Sequence, residues 1–233
     1  MALFSEAGWL FLLRWIHFLS GITWIGLLYY FNLVQVPFFA ETEAPVRSGV
    51  QQKLLPRALW WFRWAAMVTF LSGWLYLFHY WLGRRGISDP GTLVILLGGI
   101  VGTVMWANVW FVIWPNNKIV IQNAIDTAAG KPANSAAAPA GARGGLASRT
   151  NVVLSIPMLW FMGSASHNPP AAPASPALFW VVALIIVALV EANALWGTPG
   201  QGAAKPLATI KGTLWAGFIL TAVFYVWFVI VRA

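Results

Sequence analysis

Cysteine is absent from all 233 residues. That excludes disulfides, thiolate metal sites and a covalently attached c-type haem, which needs C-x-x-C-H, so any metal must be held by histidine, methionine or oxygen. Charge is scarce as well, at 9% of residues against the ~25% of an ordinary soluble domain. Only six residues are acidic and three are histidine. No nucleophile and base, paired carboxylates or phosphate-cradling loop can be assembled from them, which argues against hydrolytic chemistry.

What the chain has in abundance is apolar surface. Hydrophobic residues make up 60% of it and tryptophan alone contributes sixteen, many near the ends of apolar runs where an amphipathic ring suits a membrane interface. The composition predicts an all-α, polytopic membrane helix bundle forming a single domain over 1–233. The net charge of +8 is then explained by topology and by anionic lipid head groups rather than by nucleic acid. Glu6 stands where a signal peptide would have a basic segment and no small-residue cleavage site interrupts the first run, so the first helix is expected to remain in the mature protein.

Six apolar runs approach the spanning length of about 20 residues: 8–31, 58–82, 92–114, 150–166, 176–197 and 211–231. An even number of crossings puts both termini on one side, side A, with Arg14, Arg84, Arg85 and Arg232. Side B holds Arg47, Lys53, Arg57, Arg63, Lys118, Lys131, Arg143, Arg149, Lys205 and Lys211. The excess on side B makes it cytoplasmic and both termini periplasmic, as in a multi-pass protein of a bacterial inner membrane. Val46, Val50 and Leu54, spaced by four, predict a short amphipathic helix along the inner surface within 32–57. Residues 127–148 are so rich in Ala, Gly and Pro that they are expected to form a flexible cytoplasmic loop.

His17, Gly21 and Trp24 share one stripe of the first helix, and an ionisable ring inside a spanning run is a candidate functional group. The topology places all three histidines in the A half. His17 and His79 fall on adjacent antiparallel helices, roughly 13 and 6 Å from the A surface at 1.5 Å rise per residue, with His167 shallower. Two imidazoles facing each other through a gap opened by Gly21 are what a b-type haem needs for its iron. Arg14, Arg84 and Arg85 would meet the propionates, and His167 is the alternative ligand. The unequal depths disfavour a copper site made from all three histidines. Each of these arginines also has a plainer reading, as a snorkelling or solvated side chain.

A second polar layer is expected near side B. Arg63 and Glu191 lie at matching depths, where pairing is the least costly arrangement for two charges in lipid, and Asn108 falls in the same layer. Asn32, Gln35, Asn116 and Asn151 lie a little closer to the cytoplasm, and Trp60, Trp61, Trp64, Trp110 and Trp114 surround the layer. Arg63, Glu191 and Asn108 are therefore the candidate catalytic residues, able to receive a planar anionic heterocycle or a quinone head group. The competing reading is an ion pair that only pins two helices together.

Four stretches, HFLSGITWIGLLYYFNLVQVP at 17–37, PRALWWFRWAAM at 56–67, IWPNNK at 113–118 and SRTNVVLSIPMLWFMGSASH at 148–167, occur in an order that resembles the membrane part of the PuuD-type urate hydroxylase (membrane urate oxidase) family. The resemblance implies an integral membrane protein that oxidises urate and passes electrons to a cytochrome c, which long members carry as a C-terminal domain. With no C-x-x-C-H in this sequence, a separate cytochrome c would take that place. The functional expectation is thus a haem b electron-transfer protein oxidising a small reductant such as urate toward a periplasmic cytochrome c. A non-catalytic membrane subunit that docks a partner oxidoreductase is the first alternative, and a metal or small-solute transporter the second. Oligomeric state is left open.

Overall fold

The computed structural model describes residues 3–231, and among these every regular element is helical. α1 (Glu6–Tyr29) runs through a π-helical stretch, Tyr30–Gln35, into α2 (Val36–Glu41), making one continuous rod. After a two-residue break, α3 (Ala44–Tyr76) continues through a second π stretch, Leu77–Arg85, to Gly86. The third rod joins α4 (Pro90–Ala107), a π stretch Asn108–Ile113 and α5 (Trp114–Ala128). α6 (Ala137–His167), α7 (Pro176–Trp196) and α8 (Ile210–Ile230) complete the bundle.

The helix starts follow from local chemistry. Ser5, Asp89, Ser175 and Thr209 each accept a hydrogen bond from the backbone N–H three residues on, satisfying one of the donors that a helix start leaves free. Pro90 and Pro176 follow their caps at positions where no N–H is needed. Gly86 closes the second rod at φ 81°, a conformation that glycine adopts without a side-chain clash.

Among the described residues, four helices are long and apolar enough to cross a membrane: the rods Glu6–Glu41 and Pro90–Ala128, and α7 and α8. Their outer faces carry large apolar side chains, including Phe18, Ile22, Leu184, Leu189 and Phe218, which suit lipid rather than water. The other two rods are held more centrally. α3 packs on α1, α4 and α5, while α6 contacts α1, α4, α5, α7 and α8. Phe161 of α6 is fully buried against Phe224 and Phe228 of α8, and Phe179 of α7 meets Phe228 as well.

Two expectations are corrected here. The separate surface helix within 32–57 does not exist. Instead the first two rods extend and meet in a tight hairpin at Thr42 and Glu43, because Val36–Glu41 prolongs the first rod and Ala44 starts the next. The expected flexible loop at 127–148 is helical from Ala137 onward. Its small residues serve close packing: a Cβ at Gly144 would lie 3.4 Å from Asn116 Cβ, and one at Gly141 3.6 Å from Val120 Cγ2. Small side chains at a helix interface let backbones approach, which is how membrane helices commonly associate. Arg232, counted on side A, lies outside the described residues.

Candidate functional site

The two predicted site regions fare differently, and the histidine region departs most from expectation. His17 donates from Nδ1 to the Thr69 carbonyl at 2.9 Å. The space beside its ring is made by Gly73 of α3 rather than by Gly21, since a Cβ at Gly73 would stand 2.7 Å from His17 Cε1. Gly21 instead makes ordinary contact with Thr69, whose hydroxyl bonds Ser20 Oγ at 2.9 Å.

His79 is exposed at the end of the bundle, with Nε2 2.8 Å from Glu6 Oε1. Glu6 also pairs with Arg84, Arg85 pairs with Asp89 at 3.3 Å over the Trp81 ring, and Arg14 donates to the Tyr76 hydroxyl. His167 is engaged with the Gly163 carbonyl of its own helix at 3.0 Å.

These contacts bear directly on the haem expected from the sequence. His79 sits at the level of Glu6 and His17 eleven residues further along the same helix, roughly 16 Å at 1.5 Å per residue. Axial ligands of one iron must converge on it, and these two rings do not. The basic side chains meant for the propionates have protein partners as well. As arranged, His17, His79, Arg14, Gly21, Arg84 and Arg85 do not fit a b-type haem with two histidine ligands. No cluster of three or more His, Asp or Glu suited to a metal occurs among the described residues.

In the second polar layer, Asn108 and Glu191 come together and Arg63 does not join them. Asn108 opens the third π stretch, and its amide donates to Glu191 Oε2 at 2.9 Å and to Asn151 Oδ1 at 3.0 Å. Asn151 in turn donates to the Met105 carbonyl at 2.9 Å, so three rods share one polar chain whose two asparagines are buried. The expected Arg63 to Glu191 ion pair is replaced because α7 packs on α4 and α6, whereas α3 lies against α1, α4 and α5. Arg63 turns to aromatic faces, with its guanidinium carbon 4.2 Å from the Trp114 ring centroid, 5.2 Å from Trp110 and 5.5 Å from Trp64.

A cavity of about 400 Å³ lies toward the basic end of the bundle, close to this layer. Its walls come from the first three rods, the N-terminal half of α6 and the connection before α8. Two π stretches border it. The first places Phe31, Asn32 and Gln35 on the wall and the third contributes Ile113. Inserted turns of this kind re-aim side chains and recur at functional sites. Asn32 donates to Ser148 Oγ at 2.8 Å, and Gln35 has a buried side-chain oxygen with no partner.

Arg149 is the cation of this cavity. One nitrogen donates to the Leu207 carbonyl, and no carboxylate answers the guanidinium among the described residues. Gln51 and Asn117 add further amides, while Phe31 and Phe39 supply flat apolar surface. The sequence reading missed Arg149, which it assigned to surface charge. The signal was present: Arg149 and Asn151 both belong to the SRTN run at 148–151, so one short turn of helix serves both the cavity and the polar chain.

Residues 81–227, more than half of the chain, match the family described as urate oxidase N-terminal. The chain belongs to that family. No curated protein and no solved structure matches it.

Proposed function

We propose that this member of the urate oxidase N-terminal family is the membrane domain of a urate-oxidising system, and that urate binds in the cavity beside Arg149. The cavity's chemistry carries the reading. Near neutral pH urate is a flat monoanion with ring N–H donors and carbonyl acceptors. Arg149 would meet its charge, Gln51 and Asn117 would donate around the rim, Asn32 Oδ1 would accept, and the orphaned Gln35 oxygen would receive an N–H. Phe31 and Phe39 would cover the ring faces. A small purine fits within about 400 Å³ with room for water.

Hydroxylating urate with water releases two electrons and two protons, so a separate acceptor is required. A c-type cytochrome, reduced twice per urate, is the acceptor this reading favours. The chain's residues would hold and orient the substrate. The Asn108, Asn151 and Glu191 chain, about one helical turn from Ser148 and Arg149, would fix the α6 wall.

The test is equilibrium binding of radiolabelled urate to the purified chain in lipid nanodiscs. Arg149→Gln should weaken binding at least tenfold, as expected for loss of a charge-assisted contact. Gln35→Leu should weaken it several-fold. Absence of saturable urate binding by the unaltered chain, or equal binding by both variants, would refute the assignment.

A further inference from the structure

The cavity faces inward, and the opposite face of the same wall carries an unexplained cationic site. On the third rod, Ile113 and Asn117 point into the cavity, whereas Trp110, Trp114 and Lys118 follow one another at spacing four on the outer side. Arg63 of α3 lies across the Trp114 ring at 4.2 Å, and Lys118 Nζ stands 5.8 Å from the same ring. Neither cation has a carboxylate or hydrogen-bonding partner among the described residues, and the buried Arg63 Nε is an orphan donor. Cation–π contact with tryptophan offsets part of that cost, but it leaves the N–H groups of a forked, multidentate donor unused.

The surroundings point to what would use them. Trp60 and Phe111, each three residues before Arg63 and Trp114 on their own rods, are exposed and add apolar surface one turn from the two charges. Tryptophans cluster where a bilayer passes from acyl chain to head group. A ligand that is anionic at one end and apolar alongside it matches this layout better than a free ion does.

We propose that Arg63 and Lys118 bind the phosphate of an anionic phospholipid beside the Trp114 ring, with its acyl chains lying along Phe111 and Trp60. The guanidinium would clamp two phosphate oxygens while its face stays on the indole, and Lys118 would supply a second charge from the next turn. The site is separate from the urate cavity, although both are built on one short helical segment. Lipid bound there would brace the cavity's outer wall.

The experiment compares phosphatidylglycerol and phosphatidylcholine of identical acyl chains on the purified full chain, by native mass spectrometry of retained lipid and by lipid titration of the melting temperature. Inorganic phosphate serves as the head-group control. Phosphatidylglycerol should bind about tenfold more tightly than phosphatidylcholine, in keeping with two basic residues at a lipid surface. Lys118→Gln, an exposed and structurally mild change, should remove about half of that preference on a logarithmic scale, and Arg63→Gln most of it. Inorganic phosphate should neither stabilise the chain nor displace the lipid. Equal retention of the two lipids, an unchanged preference in Lys118→Gln, or displacement by inorganic phosphate would overturn the proposal. So would displacement of phosphatidylglycerol by an uncharged isoprenoid quinone at equal concentration.

Discussion

The Asn108 amide donates to Glu191 Oε2 at 2.9 Å, joining the third rod to α7. Its other hydrogen goes to Asn151, so Asn108 has no spare donor. Glu191 is thus held by an amide chain rather than by a cation. Truncating Glu191 to Ala should cost about 1–3 kcal/mol, the range for stranding a buried hydrogen-bonding group. Asn108→Ala and Glu191→Ala should be non-additive by about 0.5 kcal/mol or more in denaturant titrations. Arg63→Ala and Glu191→Ala should add within about 0.5 kcal/mol, because those two side chains have different partners. Coupling of Arg63 to Glu191 would revive the ion pair that matching depth suggested.

That pair shows which information a single chain carries. Depth along each helix was legible for Asn108 and Glu191, expected in one layer and joined by a hydrogen bond. Azimuth and neighbour choice were not: α7 meets α4 and α6, and only packing decides this. The same gap misled the histidine reading. His17 and His79 share a half of the bundle, yet one turns to Gly73 and Thr69 and the other to Glu6. The apolar runs expected from 8, 92, 176 and 211 begin within two residues of the helices that start at Glu6, Pro90, Pro176 and Ile210, because an apolar run is a local signal. The π stretches had no such signature, so the wall formed by Asn32 and Gln35 emerged only in three dimensions.

His17 and Gly73 offer a steric test. A methyl group at Gly73 would lie 2.7 Å from His17 Cε1 and 3.0 Å from Nδ1, so Gly73→Ala should force the ring from its bond to Thr69. A loss of about 1–3 kcal/mol is expected, as for overpacking elsewhere. Shrinking the partner should relieve it. The double variant His17→Ala, Gly73→Ala should be less destabilised than the sum of the singles, and additivity would show that the ring does not occupy this space.

The N-terminal half of α6 can be separated from a loop by two neighbouring glycines. Gly144 faces α5, with Asn116 Cβ and Asn117 Nδ2 both 3.4 Å from an added Cβ, whereas Gly145 meets nothing within 4 Å. Gly145→Ala should stabilise the protein slightly, by up to about 1 kcal/mol, because alanine favours helix over glycine. Gly144→Val should destabilise it and reduce urate binding, since Gly144 also lines the cavity. In a mobile loop the two substitutions would be indistinguishable by melting temperature and by protease resistance.

Orientation decides from which side the cavity is reached. The cavity lies at the end that holds Arg47, Lys53, Arg143 and Arg149, and an excess of basic residues marks the cytoplasmic side. With six rods passing alternately through the bilayer, both ends of the chain would face the other compartment, where Glu6, His79 and Arg84 form their cluster. A C-terminal alkaline phosphatase fusion should therefore be active and the matching green fluorescent fusion dark. A reporter inserted in the turn at 130–135 should behave in the opposite way. Reversed signals at both positions would turn the cavity toward the exterior. Like signals at both would mean an even number of crossings between them, so that α6, α7 and α8 do not all span. The cluster at Glu6 would still lie across the bilayer from the cavity, because the first three rods separate it from the turn at 130–135, and only the C-terminal end would change compartment.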